Sequence, residues 1–172
     1  MRFTAALMLT ALVAAPAVAQ TQAPTVPEAM PFDTPYGTPI NLEQAQKAIQ
    51  ASMTEAQKHK WKMAISVVDP AGNLVAFATM DGTQYASIPI AQAKARTAAL
   101  YRRPSGVFQT AINQGGAPAV ATLLALNGGA ASEGGFPIVV DGKLIGAIGA
   151  SGGIATQDAV TAKAGLEVAT SK

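Results

Sequence analysis

The stretch from Gly135 to Gly153 constrains the fold more than any other part of the chain. Two short apolar runs flank Asp141-Gly142, a dipeptide that accepts the positive φ angles of a two-residue hairpin turn. The second run ends in five small residues beginning at Gly149, and such residues let another backbone or a flat ligand approach a strand end closely. A helix is predicted to follow, so its first free N–H groups lie at the same position. The sequence therefore predicts a β-hairpin that leads into a helix, with a functional site near their junction.

The N-terminal residues 1–19 have the pattern of a secretory signal peptide. Arg2 supplies a positive charge, an almost wholly apolar run follows as far as Ala15, and Ala17-Val18-Ala19 has the small-x-small form of a cleavage site. The apolar run is too short to span a bilayer, which needs about 20 residues. We therefore expect cleavage after Ala19 and a mature protein that is periplasmic or secreted.

The composition of the chain limits which bonds, metal sites and binding partners the protein can have. There is no cysteine, which excludes disulfides and thiolate metal sites. Charged residues make up 13% of the chain and hydrophobic residues 49%, a balance that favours burial of apolar surface between subunits of a homo-oligomer. The formal net charge of +2 and the lack of a long basic run give no support for nucleic-acid binding.

Residues 20–40 are rich in proline and show no apolar periodicity. We predict a linker or an extended arm, and a disordered tail is the commoner form of such a segment. If the segment is an arm laid across a neighbouring subunit, Phe32 and Tyr36 are its anchors. This predicted segment separates the signal peptide from a single domain over residues 41–172.

The domain over residues 41–172 is predicted to have an α+β fold. Asn41 followed by Gln44 forms a capping box for the first helix, and turn residues such as Asp69 join the first two strands. The first predicted helix begins at Leu42 and fades at residues 58–60, and strands follow over 63–68 and 74–80. A second helix is predicted over 88–101, a shorter one after Ser105 as far as Gln114, and one or two helical turns within 117–126. A hairpin over 137–150 and a helix over 156–169 complete the prediction. Two hairpins separated by helices imply an antiparallel sheet with flanking helices.

Two familiar motifs overlap the small residues, but the chain lacks the other features that each motif needs for its function. Ser151 lies in a G-x-S-x-G pattern, but a hydrolase of that type needs a histidine after the serine, and the only histidine is His59. The glycines from Gly146 to Gly152 have the wrong spacing for a dinucleotide loop and are followed by no second βα unit. A single histidine also makes a zinc site improbable. The small residues then shape a tight corner between strand and helix.

Several side chains are candidates for binding a ligand. His59, at a polar helix end, is either a solvated residue or an axial iron ligand, because imidazole is the usual proximal donor to haem. Met80 and Tyr85, near the end of the first hairpin, are the other candidate donors, although Met80 also suits a strand-end packing position. Arg102 and Arg103 are either solvated cations or partners for ligand carboxylates.

Five segments together resemble the GlcG/HbpS family, also called haem-degrading domain or DUF336 proteins. They are AISVVDPAGNLV (64–75), MDG (80–82), AQAKARTAA (91–99), GGFPIVVDG (134–142) and IGAIGASGG (145–153). Asp158 after the glycines also fits the pattern. The resemblance extends from about Leu42 to Val168. It implies an antiparallel sheet with flanking helices, assembly into higher oligomers, and haem binding of the kind found in exported members that work with a membrane sensor.

From these observations we expect an exported, oligomeric protein that sequesters or senses haem or a related tetrapyrrole and supports at most a slow haem breakdown. His59 or Met80 would supply the axial donor and Arg102 or Arg103 the cations. The first alternative is an enzyme that acts on a small hydroxy acid of the glycolate type. In that enzyme the N–H groups of Gly149–Gly153, including Gly152, would cradle the anion, together with Ser151 and a nearby cation. The second alternative is a non-catalytic partner domain of a sensor system.

Overall fold

The described part of this computed structural model comprises Val26 and residues 28–171. Backbone contacts divide the chain into two units, residues 1–30 and residues 31–172. The described residues of the first unit form neither helix nor strand. The predicted signal peptide, residues 1–19, lies outside the described residues. The elements given below all belong to the second unit.

A four-stranded antiparallel sheet forms the centre of the second unit. Its strands are β1 (Ala64–Val68), β2 (Leu74–Thr79), β3 (Gly135–Val140) and β4 (Lys143–Ser151), in the spatial order β2-β1-β4-β3. The turn between β3 and β4 has positive φ angles at Asp141 (48°) and Gly142 (75°), as the hairpin prediction requires. The predicted α+β class, with an antiparallel sheet built from two hairpins, is confirmed.

The described residues form five α-helices beside the sheet strands, and one π-helical turn links two of them. The helices are α1 (Leu42–Lys58), α2 (Ser87–Leu100), α3 (Gly106–Ala111), α4 (Ala117–Asn127) and α5 (Ala155–Thr170), and the π-helical turn covers Ile112–Gly116. Helices α1, α2 and α5 pack on the sheet, whereas α3 and α4 share a separate apolar cluster and are linked by the π-helical turn. Asn41 and Gln44 form the predicted capping box of α1, with hydrogen bonds of 2.9 and 3.1 Å. The described helices include none long and apolar enough to cross a bilayer.

The helices cover the two faces of the sheet differently. Helices α1 and α5 pack over the face that includes Ile148 and Ala150. Helix α2 packs over the other face, where its alanines meet Ala147 and Gly149. A Cβ atom at Gly149 would collide with the carbonyl oxygen of Ala91, so this glycine permits α2 to lie directly on β4.

The segment before α1 pairs with the first residues of β4. Strand β1 pairs with β4 only from Ala147 onward, which leaves the earlier residues of that edge open. Leu144 N–H donates to the carbonyl oxygen of Pro35 (2.8 Å), and Gly37 N–H donates to the carbonyl oxygen of Leu144 (2.8 Å). The predicted linker or arm is therefore held, over these residues, against its own chain. Contact with a neighbouring subunit stays a prediction.

Candidate functional site

Two grooves lie side by side at the end of the sheet where α1 and β2 finish. The first, which we call the apolar groove, has a volume of about 470 Å³ and is lined by Met53, Trp61 and Met80, among other residues. The second, which we call the glycine groove, has a volume of about 390 Å³ and is lined by Gly82 and Gly152, among other residues. Lys60, Trp61 and Lys62 line both grooves. Trp61 therefore stands at the boundary between them.

The C-terminus of α1 places Trp61 at this boundary. His59 is the C-cap residue, and Lys60 follows in the left-handed conformation with φ of 59°. Lys60 N–H donates to the carbonyl oxygen of Gln57 (3.0 Å), and Trp61 N–H donates to that of Ala56 (2.9 Å). This pair of bonds is the Schellman motif, which turns the chain sharply out of the helix. A lysine stands where glycine is usual, at a conformational cost of roughly 1–2 kcal/mol.

His59 lines neither groove, but its ring contacts Trp61, which lines both. The two rings stack with centroids 4.2 Å apart and planes inclined by 18°. The imidazole is 44% exposed, and its Nε2 lies 3.2 Å from Glu55 Oε1. Hydrogen bonds from Lys58 and then from His59 lower the pKa of Glu55. The imidazole is thus accessible and is oriented by a carboxylate on one side and an indole on the other.

The two other candidate donors differ in their surroundings. Met80 directly follows β2, is half-buried, and forms part of the wall of the apolar groove. Its backbone N–H donates to the carbonyl oxygen of Met63 (2.9 Å), which fixes the strand end from which its side chain departs. Tyr85 is 89% exposed in the loop beyond. Of the three predicted donors, the structure brings Met80 and His59 to the same tryptophan.

Arg102 and Arg103 lie at the other end of the sheet. Arg102 donates to the carbonyl oxygen of Thr34 (3.1 Å) beside the residues that pair with Leu144. The Arg103 guanidinium lies 3.7 Å from the centroid of the Phe32 ring, and burial lowers the pKa of Arg103. Strand β4 separates this end from the grooves by about 23 Å, at 3.3 Å per residue. The two arginines therefore do not share a site with the grooves within one chain.

The predicted glycine corner is only partly open to a ligand. Gly149 is covered by α2, and Ser151 is buried where β4 pairs with β1. Gly152 alone of the three predicted residues lines a groove. Gly153 N–H donates to Asp158 Oδ1 (3.0 Å), and Ile154 N–H donates to Gln157 Oε1 (3.1 Å). Because the chain's own side chains bind these two N–H groups, neither is available to an anion, and any charge attraction at this corner must come from the lysines that line the groove. The hydroxy-acid alternative stays a prediction.

A buried ion pair lies directly behind this corner. Lys94 Nζ on α2 is 2.6 Å from Asp158 Oδ2 on α5, with 2% and 4% of the two side chains exposed. The sequence analysis did not single out Lys94. What distinguishes Lys94 from the neighbouring cations is its position on the face of α2 that carries Ala91, Ala95 and Ala98. This face packs against the rest of the domain, so a lysine on it is not solvated.

The sequence analysis also missed the three residues that line both grooves. Trp61 is the only tryptophan of the chain and lies between two lysines, directly after His59. An aromatic residue alternating with cations is a recognisable pattern for an amphipathic ligand. Among the described residues, no group of three or more histidine, aspartate or glutamate side chains is arranged to hold a metal ion. A metal centre of that composition is absent from this part of the chain.

The chain resembles proteins of known sequence and structure over nearly the whole described domain. A family model described as haem degrading protein HbpS-like matches residues 40–167. Protein GlcG of Escherichia coli K12 is 40% identical over 112 residues, which cover 65% of this chain and 81% of that protein. The crystal structure of a double mutant of Streptomyces reticuli HbpS is 29% identical with a TM-score of 0.70, and the match covers 85% of this chain and 97% of that one. A PduOC–haem complex shares the fold at 23% identity and a TM-score of 0.70, covering 76% and 95%.

Proposed function

Because the chain belongs to the HbpS-like family, we propose that it binds haem or a related tetrapyrrole in the grooves beside Trp61. The observation that carries this proposal is the apolar groove, where Met53, Trp61 and Met80 offer a hydrophobic and aromatic surface open to solvent. Both grooves fall within the range of roughly 300–1,000 Å³ typical of small-molecule sites. The PduOC complex supports the proposal as a haem-bound example of the same fold.

The residues around Trp61 suit the chemistry of a haem. A porphyrin face stacks on an indole, and thioether side chains adapt their shape to a flat apolar partner. His59 and Met80 carry the two donor types, imidazole and thioether, that hold haem iron in proteins. Met80 lines the apolar groove together with Trp61, and His59 stacks on Trp61 without lining the groove itself. A bound haem would supply redox-active iron, and the chain would supply the apolar surface, the donor and the exclusion of water from one face.

Haemin titration of the protein lacking residues 1–19 tests this proposal. We expect a shift of the Soret band together with quenching of the single tryptophan, because Trp61 lies in the site. His59→Ala, Met80→Leu and Tyr85→Phe each remove one candidate donor, and Gln46→Ala, at an exposed position of α1 that lines neither groove, is the control. Loss of the shift in one of the first three variants identifies the donor. No Soret shift in the parent protein would exclude haem as the ligand.

We also propose that copies of the chain assemble through α4. No charged residue occurs from Pro104 to Ser132, and on α4 the side chains of Leu123 and Leu126 are 45% and 76% exposed. A second copy of the same charge-free surface is the partner that such a face can cover without desolvating charge. Light scattering should show oligomers for the parent protein and a smaller species for Leu123→Glu/Leu126→Glu. An unchanged mass for the double variant would rule out this surface.

The location and use of the bound haem are further proposals. We propose that residues 1–19 are removed on export and that the protein sequesters or senses haem outside the cytoplasm, in contact with a membrane sensor. The support is the signal-peptide pattern in the sequence. N-terminal sequencing of protein recovered from the periplasm or medium should begin at Gln20. Recovery of the intact chain from the cytoplasm alone would contradict export.

A further inference from the structure

The side chains that line both grooves carry charge that is not neutralised within the described chain. Among the described residues, the ammonium groups of Lys60 and Lys62 have no hydrogen-bond or ion-pair partner. Other lysines nearby do: Lys58 pairs with Glu55 at 2.7 Å. These two lysines flank Trp61 in the sequence, and Trp61 is partly exposed. Together the three side chains offer a surface for a ligand that is both aromatic and negatively charged.

The two grooves differ in charge and polarity. Asp81 lines the apolar groove together with the two lysines, so the positive charge there is partly offset. Among the described residues that line the glycine groove there is no carboxylate, and both lysines face it. The apolar groove is therefore suited to the body of a ligand, and the glycine groove is suited to its negative charge.

Gly82 positions one of the cations between the grooves. A Cβ atom at Gly82 would lie 2.7 Å from Lys62 Nζ, so the ammonium group rests directly on this glycine. Gly82 lines the glycine groove, and its neighbour Asp81 lines the apolar one. The Lys62 ammonium is thus held near the boundary at Trp61, where the polar edge of a ligand that spans both grooves would lie.

We propose that Lys60 and Lys62 select a ligand with carboxylates on one edge, and that this edge enters the glycine groove while the apolar body covers Trp61 and Met80. This inference rests on the proposed function, and it assigns the carboxylate partners to these lysines instead of Arg102 and Arg103. It predicts that a tetrapyrrole binds in one orientation, with its carboxylates in the glycine groove. Blocking the carboxylates removes the contribution of the lysines without altering the flat apolar body.

Iron-free protoporphyrin IX and its dimethyl ester separate these effects, with Trp61 fluorescence as the readout. The parent protein should bind the free acid more tightly than the ester, by roughly two- to thirtyfold for two exposed ion pairs. Lys60→Gln/Lys62→Gln should weaken binding of the acid by that factor and leave binding of the ester unchanged. Lys143→Gln, a matched loss of one charge at the opposite end of β4, should change neither. Raising the ionic strength should weaken only the parent's binding of the acid.

The possible failures are distinguishable. If the double variant binds the acid and the ester equally more weakly, or binds both as tightly as the parent does, the lysines do not select the carboxylates. The grooves remain the proposed binding site in either case. A haemin Soret shift in the parent without any quenching of Trp61 places the haem elsewhere, so haem binding stands and this inference falls. Absence of both signals with every tetrapyrrole overturns the proposed function itself. Circular dichroism of the double variant checks that these two exposed substitutions leave the fold intact.

Discussion

Lys94 and Asp158 form an ion pair inside the domain, with Nζ and Oδ2 2.6 Å apart and both side chains buried. The pair joins α2 on one face of the sheet to α5 on the other, and the second carboxylate oxygen binds Gly153 N–H (3.0 Å) at the glycine corner. A buried pair of this kind does not by itself show that a protein is more stable, because desolvation offsets the attraction. It does fix the geometry, since neither charge tolerates the loss of its partner.

Lys94→Met should destabilise the protein by about 3–5 kcal/mol, because it leaves the Asp158 carboxylate buried without a counter-charge. Lys94→Met/Asp158→Asn should be less destabilised than the single variant, since the amide oxygen can still accept the hydrogen bond from Gly153. Urea unfolding followed by circular dichroism measures both. Lys47→Met, which breaks the exposed pair with Glu43, is the control and should change stability little. A double variant no more stable than Lys94→Met would show that the buried charge is not the cause.

Asp69 in the first hairpin turn should make stability depend on pH in the acid range. Its Oδ1 accepts hydrogen bonds from the N–H groups of Ala71 (2.8 Å) and Asn73 (2.9 Å), and its Oδ2 accepts one from the Asn73 side chain (2.9 Å). Burial raises the pKa of Asp69, but the hydrogen bonds from Asn73 and Ala71 outweigh it, so the pKa is lowered. The stabilisation is therefore complete above the unfolded pKa of about 3.9 and is lost as pH falls through the folded value.

Asp69→Asn removes this titration while keeping one acceptor oxygen. We expect the parent to be more stable than the variant by about 1 kcal/mol at neutral pH, a value reduced by the partial exposure of the turn. The difference should hold down to about pH 5 and shrink below about pH 4. Unfolding curves across that range measure it. A difference that grows on acidification has the wrong sign and would contradict the assignment to Asp69.

Gly149→Ala tests whether this glycine serves packing or a ligand. The added methyl group would collide with the Ala91 carbonyl oxygen and approach Ala95, so we expect a loss of about 1–3 kcal/mol in unfolding free energy. Val160→Ile, which adds one methyl group at an exposed position of α5, is the control and should change stability far less. Parent-like stability combined with loss of haemin binding would instead assign Gly149 to the ligand.

Local chemistry explains which parts of the fold were predictable. The capping box of Asn41 and Gln44 and the turn at Asp141-Gly142 depend on residues close in sequence, and both form as expected. These two features need no knowledge of distant contacts. The pairing of the two hairpins through β1 and β4, which sets the order β2-β1-β4-β3, joins segments far apart in the sequence, and the sequence analysis made no prediction of it.

The candidate site was less predictable because it depends on which segments meet in space. Arg102 and His59 both suited a ligand by residue type, but β4 separates them, and no local pattern encodes that distance. Lys94 lies 64 residues before its partner Asp158, so the identity of that partner could not be inferred from α2 alone. The π-helical turn at Ile112–Gly116 likewise replaces a predicted helix end, with Gly115 at φ of 94°.

Lys60→Gly separates the two roles of the residue that ends α1. Lys60 has φ of 59°, where glycine is preferred, so the variant should gain about 1 kcal/mol of stability by relieving the left-handed backbone. It also removes one of the two cations beside Trp61, so it should bind protoporphyrin IX more weakly and its dimethyl ester unchanged. A protein that is more stable but binds the acid less well would explain why a strained lysine occupies this position. Stronger binding of the acid by the stabilised variant would mean that backbone order, and not charge, governs the site.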